Sequence, residues 1–310
     1  MNYKELIGNA RDLLFLGNYE EAILAYDKAY ILASSVEEVL ESGYDKAELL
    51  AKLDRDQEAF TLYKELIRIA PNESGAYYGL AYTAERIARP LEEIASYYDK
   101  AISKDSDYHR AYYYGGHIYD QMGDKDKALK YFKKTVELAP GDHVAWNDLG
   151  ATYEELGHYE DAIFCIRNSL EVCPTYGRAW YNLGVVLHRL GDKSKALEAY
   201  EQAIKINDRA ITYLNMSAIY NEDEKFDLAE SIIRRGLQNH PKADTLWYNL
   251  SCALLRQERV EDGIEAMLKC ISLNTEAKHW MENDPDVENV YAEIIRRLDQ
   301  EDIDGHNKDS

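Results

Sequence analysis

Four of the six prolines, Pro71, Pro140, Pro174 and Pro241, are separated by 69, 34 and 67 residues, close to two, one and two multiples of 34. A period of that length constrains the fold more than any other feature. A chain assembled from like modules of about 20–50 residues stacks them in a row rather than folding around one core. Independent signals keep the same phase. Gly17, Gly123, Gly157 and Gly191 each stand 17 residues before a proline or its equivalent. The block Ala145-Trp146-Asn147-Asp148-Leu149-Gly150 returns 34 residues later as Ala179-Trp180-Tyr181-Asn182-Leu183-Gly184.

Laid on this period, the chain gives eight repeats: 3–36, 40–73, 74–108, 109–142, 143–176, 177–209, 210–243 and 244–277. Each reads as two helices. In repeat five, Trp146, Leu149 and Tyr153 form one helical stripe, and Ala162, Ile166 and Ser169 form a second. Gly157 between them supplies a left-handed residue that ends the first helix, and Pro174 stops the second. Small residues recur at one crossing point: Ala10, Ala47, Ala81, Gly116, Gly150, Gly184, Ser217 and Ser251. Only small side chains let two helix backbones approach so closely.

The pattern Trp146-x2-Leu149-Gly150-x2-Tyr153-x8-Ala162-x3-Ile166-x2-Ser169-x4-Pro174 resembles a tetratricopeptide repeat. Repeat four carries it as Tyr112, Gly116, Tyr119, Ala128, Phe132, Thr135 and Pro140; repeat one as Leu6, Ala10, Leu13, Ala22, Tyr26 and Ala29. The resemblance implies an all-α, right-handed superhelical solenoid of about seventeen helices: eight hairpins and a C-terminal capping helix. Repeat two departs from it at Gly43 and Lys46, repeat three holds one extra residue near Pro90, and the phase slips by three residues at 37–39. Irregular packing is expected there.

Asn249-Leu250-Ser251-Cys252 followed by Asn283-Asp284-Pro285-Asp286 is similar to the closing unit of bacterial tetratricopeptide arrays. Asp284 is expected to cap a helix with Pro285 in its first turn. Val287, Val290, Tyr291, Ile294, Ile295 and Leu298 then form one apolar stripe. Residues 278–298 therefore read as the cap a solenoid needs at its end, and 299–310 as an acidic disordered tail.

Composition narrows the function. A net charge of −21 opposes binding to a phosphate backbone and favours basic or neutral partners. No apolar run reaches bilayer length, and the opening residues lack a secretory pattern. The four cysteines form no CxxC pair. Reduced thiols, a cytoplasmic setting and no membrane association are expected. GxGxxG, GxxxxGK[ST] and HExxH are all absent, so no enzyme activity, metal or cofactor is expected.

The resemblance implies that six positions on the first helix of each repeat line a peptide-binding groove. Eight of these forty-eight positions are basic and nine acidic, so the expected groove is nearly neutral. The basic residues are Lys4, Arg11, Lys52, Arg86, Arg110, Arg178, Arg189 and Arg256. Seven positions are tyrosine: Tyr44, Tyr78, Tyr82, Tyr113, Tyr114, Tyr181 and Tyr248. They suit peptide contact, or else packing between first helices. Asn182, Asn215 and Asn249 share one phase of three successive repeats, with Asp148 at that phase before them. Amides so placed could pair with a partner's backbone, and the ladder resembles one in the tetratricopeptide region of O-linked N-acetylglucosamine transferase. The alternative is that Asn is simply common at this phase.

No repeat has the lysine and asparagine pair of a co-chaperone clamp, and about thirty residues after the repeats are too few for a transferase domain. The expected function is a non-enzymatic scaffold binding an extended peptide or partner helix over repeats five to eight. The residues expected to carry it are Asp148, Asn182, Asn215, Asn249, Tyr113, Tyr181, Tyr248, Arg189 and Arg256. Arg189 and Arg256 would hold a carboxylate, while Asp148, Glu154 and Glu155 would prefer a basic residue. The alternatives are self-assembly into homo-oligomers and, less favoured by the charge, RNA binding.

Overall fold

The computed structural model describes residues 1–306, and among them every regular element is a helix, eighteen in all. The chain forms two compact units, Met1–Leu156 and Gly157 onward. The N-terminal unit holds α1 (Tyr3–Phe15), α2 (Tyr19–Leu32), α3 (Val36–Lys52), α4 (Asp56–Ile69), α5 (Ser74–Arg86), α6 (Leu91–Lys104), α7 (His109–Gln121), α8 (Lys125–Leu138) and α9 (His143–Glu155). The C-terminal unit holds α10 (Tyr159–Val172), α11 (Gly177–Arg189), α12 (Lys193–Ile206), α13 (Ala210–Glu222), α14 (Phe226–Asn239), α15 (Asp244–Arg256), α16 (Val260–Leu273), α17 (Ala277–Met281) and α18 (Tyr291–His306). Within each unit, the second helix of a repeat packs against its own first helix and against the first helix of the next repeat.

A single backbone conformation ends every first helix. The residues Gly17, Asp54, Ala88, Gly123, Gly157, Gly191, Glu224 and Glu258 all have positive φ, between 54° and 81°. One left-handed residue reverses the chain tightly enough to start the next helix after one or two more residues. Only four of the eight are glycine, so half of these turns are invisible to a search for glycine. The crossing positions obey the close-approach rule: Ala10, Ala47, Ala81, Ser217 and Ser251 are at most 1% exposed. A Cβ on Gly184 would stand 2.5 Å from the Tyr200 ring, and one on Gly116 2.9 Å from Phe132. Trp146, Trp180 and Trp247 each donate Nε1–H to the carbonyl of the proline six residues earlier, at 2.8–2.9 Å. That bond closes the turn entering the repeat and explains why Pro and Trp recur together.

The departures from the period have physical solutions. The three extra residues at 37–39 lengthen α3 to 17 residues, begun by Ser35, whose side chain accepts from the Glu38 amide. Gly43 makes room for Leu66, since a Cβ there would lie 2.6 Å from its methyl, and Lys46 pairs with Asp27 of the preceding hairpin. The extra residue of repeat three enlarges the α5–α6 turn, with Ala88 left-handed and Pro90 directly before α6.

The C-terminal end corrects two expectations. Helix count rises from seventeen to eighteen, because residues Ala277–Met281 form the short α17. Asp284 and Pro285 do not begin the capping helix. Asp284 instead accepts from the Asp286 amide in a non-helical turn, and α18 starts at Tyr291. The apolar stripe still seals the last hairpin: Val287 and Ile294 are fully buried and Val290 nearly so, against Ile264, Met267 and Cys270. Helix α18 runs to His306, through residues assigned to the tail; 307–310 lie outside the described residues.

Candidate functional site

Seven of the expected groove residues make bonds within their own unit. Asp148, only 6% exposed, accepts from Tyr113 Oη at 2.9 Å and Asn147 Nδ2 at 3.1 Å, with His117 Nε2 at 3.3 Å. Burial, then the Asp148 charge, raises the Tyr113 phenol, which stays a donor. Asn215 Nδ2 donates to the hydroxyls of Tyr181 (3.1 Å) and Tyr200 (3.3 Å), linking α13 to α11 and α12. Asn249 donates back to the Thr245 carbonyl of its own helix. Tyr248 Oη donates to Asp284 Oδ2 at 2.6 Å, and Arg256 binds both oxygens of Asp286. In this structure the amides of Asn215 and Asn249 are engaged in these internal bonds, and Tyr248 and Arg256 anchor the turn before the cap. A buried polar group must find a partner, and neighbouring repeats provide the nearest.

Two groups of expected residues do converge. In the C-terminal unit, Arg189, His188, Asn215 and Glu222 line a cavity of about 420 Å³ between α11 and α13. His188 lies 3.0 Å from Glu222. Asn182 is half-buried on α11 and Arg189 exposed near its end. Burial, reinforced by Asp284 and Asp286, pushes the pKa of the Cys252 thiol up.

The larger convergence lies in the N-terminal unit, outside the stretch expected to carry the site. Three successive first helices, α3, α5 and α7, line one cavity of about 520 Å³. Tyr44, Tyr78, Tyr82 and Tyr114 come from phases read as groove-lining; Tyr63 on α4 and Tyr108 before α7 were missed. The rings touch one another: Tyr78 lies 5.1 Å from Tyr108 and 6.0 Å from Tyr114 between ring centres. The Arg110 guanidinium sits 5.0 Å over Tyr78. Arg86 is taken by Asp54 and Asp56, at 2.7 and 2.6 Å. The hydroxyls of Tyr44 and Tyr78 are buried and have no hydrogen-bond partner. Burial raises both phenols, with Glu73 adding to the effect at Tyr44, so they remain protonated donors.

Tetratricopeptide repeat models match residues 7–74, 109–142, 131–164, 177–209 and 244–276. The chain belongs to the tetratricopeptide repeat family. Its fold is similar to that of Pseudomonas aeruginosa pilF, with a TM-score of 0.56 at 16% identity over 66% of this chain and 94% of that one. The Cut9–Hcn1 heterotetramer of APC/C gives 0.55 at 14% identity, over 88% of this chain and 55% of that one. MamA from Desulfovibrio magneticus RS-1 gives 0.52 at 18% identity, over 56% and 97%. At these identities the likeness is one of fold. No curated protein sequence matches the chain. Among the described residues no helix is long and apolar enough to cross a membrane.

Proposed function

We propose that the chain is a non-enzymatic scaffold that binds an extended segment of a partner protein across its first helices. The observation that carries this reading is the cavity shared by α3, α5 and α7, where three successive repeats contribute to one surface. An extended segment advances about 3.3 Å per residue, so a few residues pass from one first helix to the next. In the C-terminal unit, a segment would meet Asn182 and Arg189 on the same flank. The internal bonds of Asn215 and Asn249 limit their part in it. Affinity purification of the full chain with quantitative mass spectrometry is the test. A discrete partner should be recovered by the wild type and depleted by Tyr82→Ala/Tyr114→Ala. Turnover of a small molecule by the purified chain, with no protein recovered, overturns the reading.

A second reading, self-association, is favoured by the apolar residues left open on the first hairpin. Phe15 is 91% and Ile31 78% exposed. Light scattering decides it: a mass that stays monomeric at all concentrations removes this reading alone.

A further inference from the structure

The tyrosine cavity of the N-terminal unit is built around donors that lack acceptors. Tyr78 is 8% exposed and its hydroxyl is unpartnered, as is that of Tyr44. A buried hydroxyl with no partner is costly in the empty protein, and the cost is recovered when an acceptor arrives. Arg110 is the second sign. Among the described residues it pairs with no carboxylate and rests on the Tyr78 face. Nearby cations differ: Arg86 is held by Asp54 and Asp56, and Arg11 by Glu41 and Asp45. The cavity thus presents an uncommitted guanidinium and two phenolic donors, surrounded by aromatic faces. Lys52, also on the wall, points its ammonium over Tyr19. Arg86 is offset by Asp54 and Asp56, so Lys52 and Arg110 are the cations left on this wall, with Glu48 beside them and Glu73 near the Tyr44 hydroxyl. Gly75 keeps the approach to Tyr44 open, because a Cβ there would stand 3.0 Å from its hydroxyl.

We propose that this cavity selects the partner segment for an acidic residue. The carboxylate is received by Arg110 and the Tyr78 hydroxyl, and apolar or prolyl neighbours lie against Tyr44, Tyr82, Tyr108 and Tyr114. The proposal rests on the reading that the chain binds protein segments and adds where and by what chemistry. A cavity of about 520 Å³ suits two to four residues of such a segment. Charge alone would also admit RNA. The flanking Glu48 and the overall charge of −21 favour a peptide with one localised negative group over a polyanion.

The probes are fluorescein-labelled octapeptide pools, randomised except for one central position fixed as Asp and Glu, as Asn and Gln, or as Lys. Fluorescence anisotropy is read on the full chain and on Tyr78→Phe, Arg110→Gln and Lys242→Gln. The acid pool is expected to bind at least about tenfold more tightly than the amide pool, since charged hydrogen bonds distinguish them by about that factor. Arg110→Gln should erase the preference, Tyr78→Phe should reduce it about threefold, and Lys242→Gln, an exposed residue in the turn after α14, should leave it unchanged. Tyr78→Phe removes one oxygen, and its circular dichroism should match the wild type, so a folding defect does not mimic the loss. Equal binding of acid and amide pools, an acid preference that survives Arg110→Gln, or displacement of the acid pool by a single-stranded RNA 12-mer overturns the proposal. A chain that recovers a partner yet shows no acid preference defeats this inference and spares the scaffold; one that binds neither pool nor partner defeats both.

Discussion

The tyrosines divide by what their hydroxyls touch, and that division could not be read from the sequence. Tyr98 and Tyr113 both belong to the aromatic cluster of the N-terminal unit. Tyr98 is fully buried with no partner for its hydroxyl, whereas Tyr113 donates to the buried Asp148. Removing the oxygen should therefore have opposite effects. Tyr98→Phe is expected to leave stability unchanged or raise it by up to about 1 kcal/mol, because an unsatisfied polar atom disappears. Tyr113→Phe should cost about 1–2 kcal/mol, because Asp148 loses a donor where water cannot replace it. Urea unfolding midpoints decide between them, and the reverse order would contradict the bonding described. The phase of the repeat identified Tyr44, Tyr78, Tyr82 and Tyr114 as sharing one flank. It missed Tyr63 and Tyr108, which reach the same cavity from a second helix and from the turn before α7. Nor could it show that Asn215 turns inward, since helical phase gives the direction of Cβ and not the partner of the terminal amide.

Helix pairs were legible wherever glycine, proline and tryptophan punctuate them, and less so where other residues take the same conformation. Ala88, Glu224 and Glu258 adopt φ of 54–60° without being glycine. The tertiary contacts of each hairpin hold them there against a preference of about 1–2 kcal/mol for right-handed backbone. Ala88→Gly and Glu258→Gly are accordingly expected to raise stability by about 0.5–1 kcal/mol, and Gly123→Ala and Gly191→Ala to lower it by about 1 kcal/mol. Neither glycine has any atom near its missing Cβ, so the penalty reports backbone conformation alone. Chemical denaturation of the four variants checks this, and equal effects at glycine and non-glycine turns would refute it. The cap shows the same limit from another side. Its apolar stripe was evident, but the start of α18 was not, because Asp284 looks like a helix cap and instead closes a turn held by Tyr248. Deleting residues 286–310 would uncover Ile264, Met267 and Cys270, which Val287 and Ile294 now cover. The truncated chain should aggregate in size-exclusion chromatography; a stable monomer would show that the last hairpin needs no seal.

At the scale of the molecule, the near-even balance of charge counted on the first helices has a structural origin in ion pairs. Several of the basic residues pin one helical pair to another: Arg11 holds Glu41 and Asp45, Arg86 holds Asp54 and Asp56, and Arg256 holds Asp286. The C-terminal unit adds Arg259 to Glu230, Arg297 to Glu261, and His188 with Lys193 to Glu222. Two electrostatic effects then compete as pH changes. Burial would raise Glu230, but hydrogen bonds from Arg234, Gln257 and Arg259 outweigh it and hold its pKa below the ordinary 4.5. Glu222 is lowered by His188 and Lys193, and Glu261 by Arg297. A carboxylate whose folded pKa is depressed stabilises the fold above its unfolded value, and that contribution is lost as pH falls through the folded value. These pins therefore hold from neutrality down to about pH 4.5 and fail below it. Self-repulsion of the −21 charge runs the other way, since it weakens as the chain approaches its isoelectric point of 4.8. Exposed pairs contribute at most about 1 kcal/mol each and survive to that point, so relief of repulsion should dominate first. The melting temperature is expected to stay level or rise from pH 7.5 to about 5.5, then drop steeply below about 4.5. Sodium chloride at about 0.5 M should raise it at pH 7, because screening removes more long-range repulsion than short-range pairing. A melting temperature that falls steadily from pH 7.5 to 5.5, or falls on adding salt at pH 7, would mean that the pins outweigh the repulsion.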